Sequence, residues 1–464
     1  MLGRMRIRPP RRSHLSAWLP TLGVSLLLAI LPRSPAAERT HTPQMSYLDN
    51  GVIRLGVDLN LGGAITYLSP SGTGRETNVI NSADWGRQVQ LSYYSGPVPY
   101  HPPGTRLAPS WQGLGWNPIQ SGDFYGHTSR MLETTNDGRS LYIHCVPMHW
   151  PLDNVPGECD CEVWLSLDGA VVKARCRLNN HRDDHTAYPG RNQELPAVYV
   201  NGPFYRLMTY RGAKPFTGDA LSRIEARLDK DGHWAHWIAT ENWAAHVNDA
   251  GWGLGVWNPE VCEFDGGFAG EPGRGGPLDG PTGYIGPVRP EIIDHHIVLD
   301  YHYELILGTL DEIRRQVYAN ARPPTAPVWR FEKDRQGWVY RNAVDAGWPI
   351  RGELDIRLDQ PNPQIVSPMF FAQAAAASRV ILDAAFDPGC PEVAVAWRKW
   401  GEQPDFSGVV TAKVAADGQF HEVAVPLAGS PGFGEPIAQL RIDPRTGQAP
   451  SRVRIRSIRL AGPE

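Results

Sequence analysis

The sequence lacks the short motifs of nucleotide and acyl-transfer enzymes. It has no dinucleotide-binding fingerprint, no phosphate-binding loop and no serine elbow. Only 20% of its residues are charged and 41% are hydrophobic, which excludes an extended disordered protein. Its 48 glycines and 42 prolines among 464 residues follow no triplet repeat, which excludes a fibre, and they are too frequent for long helical bundles. We therefore expect short strands joined by many turns, in about two to three domains.

The first 37 residues have the composition of a secretory signal. Five arginines precede an apolar stretch from Leu19 to Leu31, and small residues from Ser34 to Ala37 supply a cleavage site. The apolar stretch is too short to cross a bilayer comfortably, although a membrane anchor is the alternative. We predict a signal peptide over residues 1–37, a secreted or periplasmic protein, and no integral membrane segment in the mature chain.

Removal of this segment changes the charge of the protein. Residues 1–37 hold six arginines and no acidic residue, so the remaining chain has 39 basic and 49 acidic residues and a formal net charge of −10. Nucleic acids and anionic membranes are therefore not expected as partners. The sequence predicts no cofactor and no metal.

All six cysteines follow the predicted signal, and four of them lie between residues 145 and 176. In an oxidising compartment one or two disulfides are plausible there, and free buried thiols are the alternative. Cys159 and Cys161 are separated by one residue, which is not the spacing of a zinc site. This spacing places both thiols on one face of a strand.

Alternation of apolar and polar residues predicts strands along most of the chain. They are expected at residues 52–59, 64–68, 140–146, 162–167, 170–178, 197–200, 253–257, 297–307 and 453–460. Asp168 and Gly169 predict a hairpin turn. One helix is predicted from Thr309, which can cap it, to Ala321. The proline-rich residues 323–327 then form a linker.

Three early segments carry a resemblance to a known family. Residues 50–55, 62–65 and 78–81 resemble the first strands of galactose-mutarotase-like β-supersandwich proteins, in which an arginine-bearing loop follows, here Asp84–Gln88. The resemblance implies an all-β supersandwich domain over residues 38–322 in a fold that hosts epimerases, lyases and binding domains. The two histidines and the glutamate of the epimerases cannot be placed in this sequence, so no catalytic residue follows from the resemblance.

The C-terminal part resembles a second kind of module. Residues 328–464 are similar to the jelly-roll domains of secreted carbohydrate-active proteins, through Trp338, Trp348, Leu354–Leu358 and the last strand. The predicted fold class is therefore all-β, with a supersandwich followed by a jelly roll.

Four polar and aromatic segments are predicted as loops that could build a site, at residues 84–94, 116–127, 188–196 and 240–246. Sugar recognition needs flat aromatic faces together with planar amides, carboxylates and guanidinium groups, and these segments combine them. The predicted substrate-binding residues are Trp85, Arg87, Tyr94, Trp116, Arg191 and Trp243. The alternative is that the tryptophans are core residues.

Four residues are predicted to carry acid–base chemistry. They are Glu194, Glu241, His127 and His246. Glycosidases need two carboxyl groups across the scissile bond, and partial burial of Glu194 would raise its pKa. The alternatives are a structural carboxylate at Glu194, a helix-start residue at Glu241 and a buried histidine at His246.

Two further segments have a weaker interpretation. His295, His296 and His302 lie near Asp294 and Asp300, where a metal site competes with a strand that enters the core or an interface. Residues 266–286 are glycine-rich and are predicted to form a flexible surface loop, a candidate lid.

These patterns predict a secreted carbohydrate-active enzyme that acts on a poly- or oligosaccharide by glycosidic hydrolysis or β-elimination. The alternative is a non-catalytic secreted glycan-binding protein.

Overall fold

A computed structural model describes residues 41–463, apart from 75–76, 228–231, 295, 322–324, 402–405 and 448–450. In these residues the chain forms antiparallel sheets and one α-helix, which confirms the all-β fold class. The predicted signal peptide and His295 lie outside the described residues. None of the helices described is long and apolar enough to cross a membrane.

The strands of the N-terminal part are β1 Met45–Asp49, β2 Ile53–Asp58, β3 Ala64–Pro70, β4 Val89–Ser92, β5 Pro118–Ile119, β6 Arg130–Asn136, β7 Ser140–Val146, β8 Met148–His149, β9 Cys159–Asp168, β10 Val171–Asn180, β11 Arg191–Asn201, β12 Arg206–Thr209, β13 Ser222–Ile224, β14 Ala235–Ile238, β15 Trp243–Val247, β16 Trp252–Trp257, β17 Glu263–Ala269, β18 Thr282–Glu291 and β19 Val298–Thr309. The helix α1 spans Leu310–Asn320.

The strands of the C-terminal part are β20 Val328–Arg330, β21 Val339–Arg341, β22 Val344–Asp345, β23 Leu354–Leu358, β24 Gln364–Val366, β25 Arg379–Phe386, β26 Glu392–Lys399, β27 Gly408–Lys413, β28 Phe420–Pro426, β29 Ile437–Arg445 and β30 Ser451–Ala461.

Two large sheets pack face to face in the N-terminal part. The first, which we call the front sheet, has the order β1-β2-β3-β4-β11-β18-β17-β14, with β5 and β8 attached beyond β4. The second, the back sheet, has the order β13-β12-β15-β16-β19-β10-β9-β7-β6. Apolar side chains from both sheets, such as Val198 and Ile285 from the front and Val163 and Leu254 from the back, form one buried core. Each sheet therefore has an inner face in the core and an outer face.

Strict alternation of buried and partly exposed residues explains why the strands of the back sheet form where the sequence predicts them. In β9, Cys159, Cys161, Val163 and Leu165 are buried, and the residues between them are partly exposed. All six cysteines are buried free thiols, so the alternative of free thiols is correct and the predicted disulfides are absent.

Local signals fix the turns and the helix. The β9–β10 hairpin turns at Gly169, whose φ of 55° favours glycine, as the Asp-Gly pair predicts. Thr309 caps α1, and its hydroxyl and the Glu312 carboxylate form a reciprocal capping box. Ile313 and Val317 are buried on one side of this helix, so the predicted helix is confirmed to within one residue at each end.

The C-terminal part is a β-sandwich with its own core. One sheet has the order β22-β23-β30-β25-β28, with β20 paired to β30, and the other has the order β21-β24-β29-β26-β27. Their inner faces share a separate cluster of buried residues. Arg335 joins this sandwich to the N-terminal part, because its buried guanidinium contacts Asp294 at 2.6 Å and Asp345 of the sandwich.

Two predictions about segments near the site are corrected. Residues 266–269 and 282–286 belong to β17 and β18, not to a flexible lid. The turn between them is attached to the body: Asn81 donates to the Asp279 carbonyl at 3.0 Å, and Arg87 donates to the Gly280 carbonyl at 2.8 Å. The four predicted loops are also partly strands, since they contain β4, β5, the start of β11 and most of β15.

The histidine and aspartate group around residue 300 does not converge in the described residues. Asp294 binds Arg335, while Asp300 pairs with Arg177 through two hydrogen bonds of 2.9 and 3.0 Å. His302 lies 4.0 Å from Glu260. The interface alternative therefore explains Asp294, while Asp300 forms an ion pair with Arg177 on the exposed face of β19, and neither arrangement needs a shared metal.

Candidate active site

The outer face of the front sheet collects the chemically active side chains. Strands β4, β11, β18, β17 and β14 are neighbours in this sheet. Because alternate residues point to opposite faces, Val198, Ile285 and Phe264 enter the core. Glu194, Tyr199, Tyr284, Asp265 and His236 then share the outer face.

Glu194 is the centre of this face. It lies in β11 opposite Ser92 of β4, immediately before a register shift that ends at Val198. Such bulges re-aim side chains and are frequent next to active sites. The residue is half-buried, whereas the tyrosines around it are buried.

Two tyrosine hydroxyls hold the Glu194 carboxyl group. Tyr94 donates to Oε2 at 2.7 Å, and Tyr284 donates to Oε1 through a short hydrogen bond. Ser92 donates to the Tyr94 oxygen at 2.9 Å. Burial raises the pKa of Glu194 above its usual value, although the hydrogen bonds oppose the shift, and the negative charge of Asp265 adds to it. The protonated carboxyl group is therefore favoured more than in an exposed glutamate.

A glycine makes the Tyr284 contact possible. Gly286 follows Tyr284 by two residues on the same face of β18, and a Cβ atom there would lie 2.3 Å from the Tyr284 hydroxyl oxygen. The missing side chain leaves the space through which this hydroxyl reaches Glu194. Any larger residue at position 286 would displace it.

Aromatic rings line one side of Glu194. The Tyr199 and Tyr284 ring centroids are 4.9 Å apart, and Trp234 lies 5.2 Å from Tyr284. Burial, and then the charge of Glu194, raise the pKa of both tyrosines well above the usual value, so that they remain hydrogen-bond donors at neutral pH. The three rings form a buried cluster, so they fix the position of the Glu194 carboxyl group and present only their edges to a ligand.

Charged pairs flank the centre on both sides. His236 bridges Asp265 at 2.7 Å and Glu263 at 3.0 Å. Burial opposes its charge, but these two carboxylates raise the pKa of His236 to about 10, so the imidazolium form dominates at neutral pH. On the other side, Arg87 pairs with Asp84 at 3.0 Å. Both cations on this face are thus already paired with carboxylates.

The predicted binding residues Trp85, Arg87, Tyr94 and Arg191 lie around this centre. Trp85 and Tyr94 belong to one buried hydrophobic cluster. The Arg191 guanidinium lies 5.7 Å from the Tyr94 ring centroid and donates to the carbonyl groups of Leu114 and Gly113, at 2.6 and 3.3 Å. Arg191 therefore supports Tyr94 and the neighbouring backbone.

His127 lies beyond the Trp85 cluster and forms its own pair with a buried aspartate. Its Nδ1 atom is 2.9 Å from Asp123, and its side chain is 41% exposed. Ligand atoms of Asp123, His127 and Asp153 all lie within 4.8 Å of one another, so they could hold a cation. The Asp123 carboxylate, however, already accepts backbone N–H groups of Gly126, His127 and Asn154. Orientation of the His127 ring accounts for the arrangement without a metal.

Two predicted tryptophans are placed in the core. Trp116 is fully buried and donates its indole N–H to Glu158 at 2.9 Å. Trp243 is fully buried behind the back sheet and donates to Glu241 at 3.0 Å. Neither ring can stack on a ligand in this state, which argues against the predicted binding role and for the alternative of core tryptophans.

Glu241 occupies a structural position. Its buried carboxylate accepts hydrogen bonds from Arg314 at 3.0 Å and Tyr318 at 2.6 Å, both on α1. It also accepts the Phe216 N–H and the Trp243 indole N–H. The Arg314 and Tyr318 contacts attach α1 to the segment before β15, and the other two contacts fix that segment locally. This position argues against the predicted catalytic role of Glu241.

His246 lies inside the core between the two sheets. It is fully buried, and its Nε2 atom is 3.2 Å from the Tyr284 carbonyl oxygen. Burial is the main cause that lowers the pKa of His246, to about 4. The predicted role as an external base does not fit this position, but the residue lies directly behind Tyr284.

The buried His246 predicts a pH-dependent stability. Its pKa rises from about 4 in the folded protein to the usual 6.5 on unfolding, so stability is complete above pH 6.5 and is lost as the pH falls toward 4. The size of this loss is about 3 kcal/mol. We expect His246→Leu to remove it when urea unfolding is compared at pH 7 and pH 4. Replacement of the exposed His101 is the control, and an unchanged pH dependence in His246→Leu would contradict the prediction.

Tyr94 provides a test of how the Glu194 proton is held. Its hydrogen bond lowers the pKa of Glu194, so Tyr94→Phe should raise that pKa further. If protonated Glu194 donates the proton in the reaction, the alkaline limb of the pH–rate profile should move to higher pH. Tyr188→Phe is the matched control, because the Tyr188 hydroxyl donates to Asp184 at 2.7 Å away from this face. A profile that moves equally in both variants, or in neither, would count against the assignment.

Several residues of the site were not predicted from the sequence. Tyr284 lies in the segment predicted as a lid, residues 266–286, and Asp265 immediately precedes that segment. Tyr199, Trp234 and His236 stand outside the four polar segments.

Comparison with known proteins was made at the level of sequence and of fold. No protein-family model and no curated protein sequence matches this chain. Its fold aligns with a galactose mutarotase related enzyme from Lactobacillus acidophilus, at 11% identity and a TM-score of 0.36, over 58% of this chain and 99% of the other. A galactose mutarotase-like protein from Lactobacillus casei aligns at 11% identity and a TM-score of 0.36, over 57% and 100%. A polysaccharide lyase aligns at 12% identity and a TM-score of 0.32, over 84% and 46%.

These matches include the family that the sequence resembles. Their scores are low, so the function is inferred from the residues of this chain.

Proposed function

We propose that this protein is a carbohydrate-active enzyme that hydrolyses a glycosidic bond on the outer face of the front sheet. The observation that carries the proposal is Glu194, a half-buried carboxyl group with a raised pKa between two tyrosine hydroxyls. A carboxyl group whose pKa is raised above that of an exposed glutamate holds its proton more strongly and is suited to general acid catalysis. The signal-like N-terminal segment supports secretion or a periplasmic location.

Glu194 acts as the proton donor in this proposal. It gives its proton to the glycosidic oxygen as the bond from the anomeric carbon to that oxygen breaks. Water adds its hydroxyl group to the anomeric carbon, and the proton that this water loses passes to Asp265. The sugar ring lies over Glu194 and against the edges of Tyr199, Tyr284 and Trp234, since these packed rings are only 3–7% exposed. Asp265 is the second carboxylate, since it lies on the same face and its charge acts on Glu194. His236 orients the Asp265 side chain through a contact of 2.7 Å.

Hydrolysis is favoured over β-elimination by the charges of the face. Elimination from a uronate requires a cation or a strong hydrogen-bond donor for the sugar carboxylate. Arg87 pairs with Asp84, and His236 lies between Asp265 and Glu263. Arg191 is occupied by carbonyl groups. These cations are therefore committed to groups of the protein, and a neutral saccharide fits the face better.

The rival function is glycan binding without catalysis. Both functions predict that an oligosaccharide quenches the fluorescence of tryptophans near the front sheet. Only the enzyme releases product.

The test is a screen of the protein from residue 38 onward against neutral and acidic polysaccharides, with reducing ends and unsaturated products measured separately. We expect new reducing ends from at least one neutral polysaccharide and no unsaturated product. Unsaturated products would show elimination. Binding to a saccharide without release of product from any substrate would establish the rival function. If the protein neither binds nor cleaves any of the saccharides, both functions are excluded.

A further inference from the structure

The outer face of the back sheet carries a second ordered array of side chains. Strands β7, β9, β10 and β19 lie side by side, and their register places Tyr142, Trp164, Arg175 and His302 directly opposite one another. We call this line the Trp164 row. The next line toward one end of the strands, the Glu304 row, consists of Ser140, Ser166, Lys173 and Glu304.

A cavity of about 340 Å³ lies along these rows. It is lined by three members of the Trp164 row, Trp164, Arg175 and His302. All four members of the Glu304 row also line it. Its volume is within the range of small-molecule sites, about 300–1,000 Å³, and is too small for a helix or a folded partner. A second cavity, of about 240 Å³, lies elsewhere, near Phe204 and Trp252.

The aromatic part of the groove is rigidly placed. The Tyr142 and Trp164 ring centroids are 5.4 Å apart with an angle of 36° between the planes. The Arg175 guanidinium lies 4.7 Å from the Trp164 ring centroid. These contacts hold the indole against the sheet and keep guanidinium donors beside it.

The charges on this face are mutually neutralised. Arg175 and Arg177 pair with Asp300, at 3.3 and 2.9 Å, and Lys173 pairs with Asp168 at 2.6 Å. A strongly charged ligand would have to break these pairs. An uncharged ligand rich in hydroxyl groups keeps them and can still use the serine hydroxyls and the guanidinium edges.

One polar atom in the groove has no partner within the described part of the chain. The Oε2 atom of Glu304 is buried without a hydrogen bond, although the residue lines the cavity. A buried acceptor of this kind costs free energy until a donor reaches it. A sugar hydroxyl in the groove would supply that donor once the Glu304 side chain turns toward it.

We propose that this groove is a second saccharide-binding site, which takes a neutral sugar chain. It is separate from the Glu194 face, since the two outer faces point away from each other across the shared core. The sugar ring lies against Trp164 and its hydroxyls bind Glu304, Arg175 and the serines. The site retains a polysaccharide on the protein and carries no chemistry of its own.

Calorimetric titration tests this site with defined probes. The probes are neutral hexasaccharides of β-1,4-glucan, β-1,4-xylan, β-1,4-mannan and α-1,4-glucan. The protein is the full mature chain with Glu194→Gln, so that no probe is consumed. Trp164→Ala should weaken back-sheet binding about tenfold, and Trp164→Phe should retain most of it. His302→Ala is a second variant, at an exposed position that the fold tolerates.

The outcomes separate this site from the proposed enzyme activity. Binding that depends on Trp164 supports the site even if no substrate is ever cleaved. Binding that is unchanged in both Trp164→Ala and His302→Ala overturns it, as does the failure of every probe to bind.

Discussion

Glu194→Gln is expected to lower the turnover number about 10²- to 10⁴-fold on any substrate that the protein cleaves, with little change in its affinity for that substrate. The amide has nearly the same shape. Its oxygen can accept one of the two tyrosine hydroxyls, and its NH2 group can donate to the other tyrosine oxygen. It has no acidic proton to give to the leaving group. The measurement is steady-state release of reducing ends, together with binding of an uncleaved oligosaccharide.

Substrates with different leaving groups test the role of Glu194 as a proton donor more directly. An aryl glycoside with a good leaving group needs little protonation, so the Glu194→Gln protein should recover a large part of its rate on such a substrate. A rate loss that is equal for good and poor leaving groups would contradict a proton-donor role. Full activity of the variant on the natural substrate would remove Glu194 from the mechanism.

Glu241→Gln is expected to behave in the opposite way. It should destabilise the protein by about 3 kcal/mol, because Arg314 loses its buried anionic partner while Tyr318 loses a charged acceptor. The folded fraction should keep its turnover number. Urea unfolding followed by tryptophan fluorescence gives the stability, and activity at low temperature gives the function.

These two glutamates form a matched pair. Each is buried or half-buried and accepts tyrosine hydroxyls, but only Glu194 lies on the outer face of the front sheet. A large loss of turnover in folded Glu241→Gln protein would restore Glu241 as a catalytic candidate. An unchanged urea midpoint would contradict its structural role.

The fold could be predicted well from local patterns. Strands such as β7 and β10 alternate so regularly that their inward side chains can be read directly, and β7 matches the predicted residues 140–146. The helix α1 carries its own cap and apolar stripe. Local chemistry decides these elements, so the sequence is sufficient for them.

The site could be predicted only in part. Glu194 was found because it stands in a polar and aromatic segment, but its partner Tyr284 comes from a strand 90 residues later. Glu241 and Trp243 stand in an equally polar segment, yet Arg314 and Tyr318, over 70 residues away, convert Glu241 into a structural anchor. Such pairings depend on which strands and helices meet, and composition does not encode this.

A structure of Glu194→Gln protein with a bound neutral oligosaccharide tests the central claim most directly. We predict a sugar ring against Tyr199, Tyr284 and Trp234, with a glycosidic oxygen about 2.6–3.2 Å from the substituted side chain at position 194. A saccharide bound only on other surfaces, with the front-sheet face empty at saturating ligand, would contradict the account.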